Sequence, residues 1–92
     1  MPDEVTVAAR AEGSFDVAVR RGTATTHYVV TVPPDLAADL GTAGADPVQL
    51  VRASFAFLLE REPPSSILQS FSLDVIERYF PEYRVEMPRR LA

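Results

Sequence analysis

The sequence predicts an α+β domain, with a three-stranded antiparallel sheet covered on one face by two to three helices. Two observations lead to this fold class. Apolar residues alternate with polar ones between positions 5 and 32, as in half-buried strands, and recur at helical spacing between positions 46 and 80. A 47% content of hydrophobic residues is typical of a chain with a packed core, and the length of 92 residues predicts one domain over 1–92.

Three predicted strands account for the alternation. Their inward faces carry Val5, Val7 and Ala9 in the first, Phe15, Val17 and Val19 in the second, and Tyr28, Val30 and Val32 in the third. The connections at 11–14 and 21–22 both contain glycine, which supplies the positive φ of tight turns. We therefore expect a meander that ends at Pro33, because proline cannot donate a hydrogen bond to a ladder.

Residues 46–62 form the clearest predicted helix. Asp46 is a suitable N-cap, Pro47 suits the first helical turn, and Gln49 would complete a capping box. The apolar face of this helix is broad, which leaves mainly Gln49, Arg52, Ala56 and Glu60 for solvent. We expect it to be central to the core. A short helix over 35–40, ended by Gly41, is predicted before it.

The segment EREPPSSILQSF, residues 60–71, is interpreted as a break between two helices. Pro63 ends the first helix, because a residue before proline is displaced from the helical region. Ser65 or Ser66 would then cap a second helix. The side chains that this helix directs inward are Ile67, Leu68 and Phe71.

Ser72 is predicted to cap a further helix that extends to Phe80, and one helix bent near Ser72 is the alternative. Beyond it, residues 81–91 are predicted to be extended or irregular. Tyr83, Val85 and Met87 alternate there, so the tail could extend the sheet to four strands.

Composition narrows the classes of function. The net charge of −4 disfavours long-range attraction to nucleic acid or to anionic lipid. Without cysteine there is no thiolate metal site, no loop rich in carboxylates suggests a metal, and we expect no cofactor. The acidic start of the sequence and the lack of a long apolar run predict a cytoplasmic protein that does not enter the membrane.

Candidate catalytic groups are few. His27, the only histidine, is predicted to lie on the solvent side of its strand without a nearby carboxylate, and Glu60 and Glu62 read as a solvated helix end. GTAG at 41–44 lacks the further glycine and the Lys-Ser/Thr pair of a phosphate-binding loop. The sequence therefore favours a protein that is not an enzyme.

Two surfaces are predicted to bind a partner. The first is the uncovered sheet face with Thr25, His27, Val29 and Thr31, where a second copy or another protein could dock by face packing or by strand addition. The second is the segment RYFPEYR, with Arg78, Tyr79, Tyr83 and Arg84, because tyrosine and arginine are common at interfaces; the favoured alternative is that its aromatic rings pack against the core.

Two stretches resemble known groups of proteins. SFAFLLEREPPSSILQSF, continued by LDVIERYFPEY, is similar to a block in short uncharacterised proteins of GC-rich bacteria, which implies no activity. HYVVTVP resembles the Y-V-V-x-V-P strand of HicB-type antitoxins, which have a partial RNase H-like fold, although PPDLAADLG replaces their proline-glycine-cysteine stretch.

The function that the sequence favours is a small cytoplasmic interaction or regulatory module without catalytic activity. The resemblance to HicB-type antitoxins implies an antitoxin-like regulator as an alternative. A small enzyme with an unrecognised pocket is the rival class, because it would need convergent polar groups in a cleft.

Overall fold

The computed structural model describes residues 3–91 and has an α+β architecture with a four-stranded mixed sheet. The elements in chain order are β1 (Glu4–Ala11), β2 (Ser14–Arg21), β3 (Ala24–Thr31), α1 (Leu36–Asp39), α2 (Pro47–Leu59), a 3₁₀ turn (Pro64–Ser66), β4 (Ser70–Ser72), α3 (Val75–Tyr79) and α4 (Tyr83–Leu91). The strands lie side by side in the order β1-β2-β3-β4.

The predicted meander is confirmed, and each predicted inward face points to the helices. In the middle of the sheet Val17 of β2 lies opposite Val7 of β1 and Tyr28 of β3. Both turns use a glycine with positive φ, at Gly13 and Gly22, a conformation that side chains with a Cβ rarely adopt. The alternation therefore predicted the strands and their faces correctly, and the glycines predicted the connections.

Helix α2 is the central helix, as predicted, although it ends at Leu59 rather than at residue 62. The side chain of Asp46 caps it by accepting a hydrogen bond from Val48 N at 2.8 Å. Phe55 is fully buried, with its ring 5.1 Å from that of Tyr28 and 6.0 Å from that of Phe71. One helix thus packs on both β3 and β4.

The predicted helix at 66–72 is wrong. The chain instead forms β4, which pairs in parallel with β3, with Val29 N donating to Gln69 O at 2.8 Å and Leu73 N to Thr31 O at 2.9 Å. Ile67 and Phe71 are compatible with either structure, because residues four apart share a face in a helix and in a strand. Strand pairing favours the strand over the helix, because β4 forms hydrogen bonds with the backbone groups of β3 on the side that β2 does not cover.

Ser72 accordingly caps nothing: it is the last residue of β4, and α3 begins after Asp74. Leu68, predicted to point inward, is 59% exposed. The prediction that the tail is extended and could supply a fourth strand is also wrong, because residues 83–91 form α4.

Helical spacing explains α4. Tyr83 and Met87 are four residues apart and both fully buried, whereas Val85 between them is 58% exposed. Ser54 of α2 reaches this helix, with its hydroxyl 2.7 Å from the hydroxyl of Tyr83 and 3.8 Å from the sulfur of Met87. Helix α4 therefore packs on α2 instead of joining the sheet. The fourth strand of the sheet is β4, not the C-terminal tail.

Candidate binding surfaces

The first predicted surface lies on the side of the sheet away from the helices. Thr25, His27 and Thr31 are exposed there, and Val29 is half-buried. Val29 lies opposite Asp16 of β2 on one side and Ser70 of β4 on the other. The four predicted residues thus form one continuous row along β3. We call the whole side of the sheet on which they lie, away from the helices, the open face.

A shallow depression of about 410 Å³ crosses this open face. Its lining includes Asp16, His27, Val29 and Gln69. Asp16 forms an ion pair with Arg10 at 3.3 Å. The depression offers mixed short side chains to a partner.

The second predicted surface is divided by the fold. Tyr83 is fully buried and its hydroxyl contacts the Ser54 hydroxyl. Ser54 donates its hydrogen to the carbonyl of Leu50 at 2.7 Å, so Tyr83 is the donor to Ser54. Burial raises the pKa of Tyr83 to about 12. The assignment of Tyr83 to a partner-binding surface is therefore wrong, because this residue belongs to the core.

Arg84 has a structural role as well. Its guanidinium pairs with Glu77 at 3.0 Å and donates to the carbonyl of Asp39 at 2.8 Å, so it joins α4 to α3 and to the end of α1. Arg78 and Tyr79 remain on the surface, and Tyr79 is 70% exposed. Two of the four residues predicted in RYFPEYR are thus available to a partner without disturbing internal contacts.

An apolar groove of about 250 Å³ lies between β4, α3 and the C-terminal end of α2, and sequence reasoning missed it. The residues that line it are Leu58, Glu62, Ser66, Ile67, Leu68, Phe71, Val75, Ile76, Tyr79 and Phe80. Eight of these ten side chains are apolar or aromatic. We call this feature the β4–α3 groove. Only Tyr79 of the predicted site residues lines it, because the groove exists only once residues 70–72 form a strand.

The proline-serine break positions one wall of this groove. Tyr28 donates from its hydroxyl to the carbonyl of Pro64 at 2.6 Å, and both groups are buried. This bond attaches the 3₁₀ turn to β3 and directs Ser66 and Ile67 into the lining. Burial raises the pKa of Tyr28, which further favours the neutral phenol that donates this bond.

Glu62 is the carboxylate of the groove, and Glu60 lies outside it. Glu60 binds Arg90 at 2.7 Å, and this hydrogen bond lowers its pKa. Within residues 3–91, Glu62 has no basic side chain within 4.0 Å, and it is half-buried at the groove. The two carboxylates therefore differ, since one is neutralised internally and the other is available to a cation.

Residues 3–91 contain no group of three or more His, Asp or Glu side chains that could hold a metal ion. None of the helices in this range has the length and apolar content needed to cross a bilayer.

No match is found between this chain and known family models, curated proteins or solved structures.

Proposed function

We propose that the chain is a small protein-binding module without catalytic activity, and that the β4–α3 groove holds a short segment of a partner protein. The observation that carries this proposal is the exposure of large apolar side chains at the groove. Leu68 and Tyr79, 59% and 70% exposed, both line it. Water-exposed leucine and tyrosine beside an apolar groove favour docking, because burying such a side chain contributes about 1.5–3 kcal/mol.

Size favours a side chain over a cofactor. Pockets for small molecules have volumes of about 300–1,000 Å³, and the β4–α3 groove has about 250 Å³. One or two apolar side chains fill such a volume. A partner segment with leucine, isoleucine or phenylalanine at its centre fits this space best.

Charge adds a second requirement for the partner. Glu62 presents a carboxylate at the groove, and the other polar lining residue is Ser66, a hydroxyl. A basic residue next to the apolar anchor would pair with Glu62 in a partly desolvated setting, where charge-assisted hydrogen bonds are strongest. We infer that the preferred segment combines an apolar side chain with an arginine or a lysine.

Selection from a random peptide library displayed on phage tests this proposal, with the purified protein as bait. We expect enriched peptides with an apolar residue adjacent to a basic one. Binding of one synthetic enriched peptide is then measured by titration calorimetry for the wild type and four variants. Leu68→Ala and Tyr79→Ala should weaken binding at least tenfold each, because hot-spot truncations cost about 2 kcal/mol or more and about 1.4 kcal/mol corresponds to tenfold.

Val85→Ala is the matched control, because Val85 is similarly exposed but does not line the groove. It should bind the peptide as the wild type does. A library that yields no enriched sequence would contradict the proposal. So would a peptide whose binding survives Leu68→Ala and Tyr79→Ala but is lost in Val29→Glu, since that result assigns binding to the open face.

A further inference from the structure

Strand β1 forms a free edge of the sheet. Among the strands of residues 3–91, it spans Glu4–Ala11 and pairs only with β2, whereas β3 is covered on both sides by β2 and β4. An eight-residue strand with one unpaired side presents backbone donors and acceptors to any strand of matching shape. This edge is far longer than that of β4, which has three residues.

The ladder determines which backbone groups are free. Val32 N donates to Gly13 O at 2.8 Å, so odd-numbered residues of β2 direct their backbone groups to β3. Even-numbered residues of β2 therefore bond to β1, where Asp16 faces Ala8 and Ala18 faces Thr6. The N–H and C=O groups that point away from the sheet are then those of Val5, Val7 and Ala9.

The edge also lacks the usual protection against pairing. Between Glu4 and Ala9 there is no proline, no bulge and no charged side chain directed toward the core; the register shift lies only between Ala9 and Ala11. Helix α2 packs on the inner face of β1 and leaves Val5 and Val7 half-buried, whereas Ala9 is exposed. A further strand could reach it and would bury these apolar side chains.

Charges along β1 favour a strand of the same sequence. On the open face, Glu4 lies near one end of β1 and Arg10 near the other. If a second β1 runs antiparallel with its Val7 opposite Val7, Glu4 of each copy lies opposite Arg10 of the other. Within the monomer Glu4 is already 3.7 Å from Arg20, and Arg10 is 3.3 Å from Asp16. The joined sheet would then carry a row of charges of alternating sign.

The same register satisfies the backbone. Val7 would face Val7, and Val5 of each copy would face Ala9 of the other, so that every pair consists of residues whose backbone groups are free. Each such pair exchanges two hydrogen bonds. Shifting the register by one residue opposes free groups to groups already used by β2. Shifting it by two residues keeps the backbone bonds but separates Glu4 from Arg10.

We propose that β1 is a homodimerisation edge: two copies of this chain pair antiparallel through β1 about a two-fold axis at Val7, which forms a continuous eight-stranded sheet. This proposal is independent of the β4–α3 groove, because the groove lies at the opposite edge of the sheet. Edge pairing buries less than the roughly 1,200 Å² of a standard stable interface. The dimer is therefore reversible and depends on protein concentration.

Sedimentation velocity over a concentration series from micromolar to millimolar tests the association, and amide hydrogen exchange by NMR tests its geometry. We expect a monomer–dimer equilibrium in which the amides of Val5, Val7 and Ala9 become protected as the dimer forms. The amides of Thr6 and Ala8, already bonded to β2, should change little. A protein that stays monomeric at millimolar concentration would overturn the proposal, as would a dimer in which the first three amides remain unprotected.

Charge exchange then tests the register. Glu4→Arg alone and Arg10→Glu alone should each weaken the dimer about tenfold, because each of the two symmetric contacts changes from attraction to repulsion. The double variant should recover most of this loss. Asp35→Arg, the same charge change at an exposed residue beside α1, is the control and should leave the dimer unchanged. Failure of the double variant to recover would reject this register, and a dimer weakened only by Val29→Glu would place the contact on the open face.

Discussion

The meander of residues 4–31 and the C-terminal segment of residues 60–91 differ in what determines their structure. In the meander each strand pairs with a neighbour that follows it directly in sequence, and two-residue turns fix the register. In the C-terminal segment, β4 depends on β3 and α4 depends on α2, both distant in sequence. Local pattern suffices for the first region, while the second takes its form from partners already in place.

Phe55→Ala should have the largest effect, because the Phe55 ring of α2 packs against both regions. Its fully buried ring lies near Tyr28 of the meander and Phe71 of β4. We expect the free energy of unfolding to fall by about 3–5 kcal/mol. Chemical denaturation measures this change. Arg52→Ala, exposed on the same helix, should stay within about 0.5 kcal/mol of the wild type.

The raised pKa of Tyr83 leads us to expect a loss of stability at alkaline pH that originates in the C-terminal segment. Its pKa is 10.0 for a free side chain and about 12 in the folded chain. A raised folded pKa means that the stabilisation is fully present below pH 10 and is lost as the pH rises through 12. The total loss should approach about 2–3 kcal/mol.

Urea denaturation at pH 8 to 12 measures this loss in the wild type and in Tyr83→Phe. At pH 8 the free energy of unfolding of Tyr83→Phe should be lower than that of the wild type, because the variant lacks the hydrogen bond to Ser54. As the pH rises, its free energy of unfolding should fall less steeply. Tyr79→Phe removes an exposed hydroxyl and should keep the wild-type slope. Equal slopes for wild type and Tyr83→Phe would show that the Tyr83 phenol does not control the alkaline transition.

Asp46→Ala should have a smaller effect, at the boundary between the two regions. The Asp46 carboxylate caps α2, so its removal should lower the free energy of unfolding by about 0.5–2 kcal/mol. Asp35 precedes α1 in the same position but makes no capping bond. Asp35→Ala is therefore the matched control, and thermal unfolding should rank the two variants clearly. A similar melting temperature for both would mean that the cap contributes nothing.

Pro63→Ala should have the smallest effect. Pro63 is exposed with φ of −69°, a value that alanine also adopts, so the main consequence is a more flexible unfolded chain. We expect a loss of about 0.4–1 kcal/mol, with peptide binding at the β4–α3 groove unchanged. Loss of binding at an unchanged melting temperature would assign the break a direct role in recognition.

The sequence was sufficient for the meander because strand periodicity and glycine turns act over few residues. Val17, Tyr28 and Val30 could each be placed on the inner face without knowledge of any partner. The central helix was equally predictable, since Asp46 and Pro47 mark its start. These signals belong to the local chain.

The C-terminal segment was not predictable in the same way. Ile67 and Phe71 suit a helix as well as a strand. Tyr83 and Met87, four residues apart, carried the correct signal for α4, but Val85 between them also allowed an alternating pattern. Ser54 could have indicated that α4 packs on α2 only if its partner had been known. The partner is the Tyr83 hydroxyl of α4, and the sequence alone does not pair the two residues.

The candidate binding surfaces also differ in how well the sequence predicts them. Strand parity correctly placed Thr25, His27, Val29 and Thr31 on the face away from the helices, while binding of a partner there stays a prediction. The groove was missed, because Leu68 reaches the surface only when β4 replaces the predicted helix. A surface formed between elements requires knowledge of how those elements pack.

The parallel pairing of β4 with β3 has a consequence for the order of folding. The two hairpins close loops of a few residues, whereas β4 can join the sheet only after nearly forty residues, including α2, have been brought back to β3. Closing a long loop slows contact formation. We therefore expect β4 to assemble late, after the transition state for folding, so that substitutions at Phe71 mainly accelerate unfolding while those at Val17 slow folding.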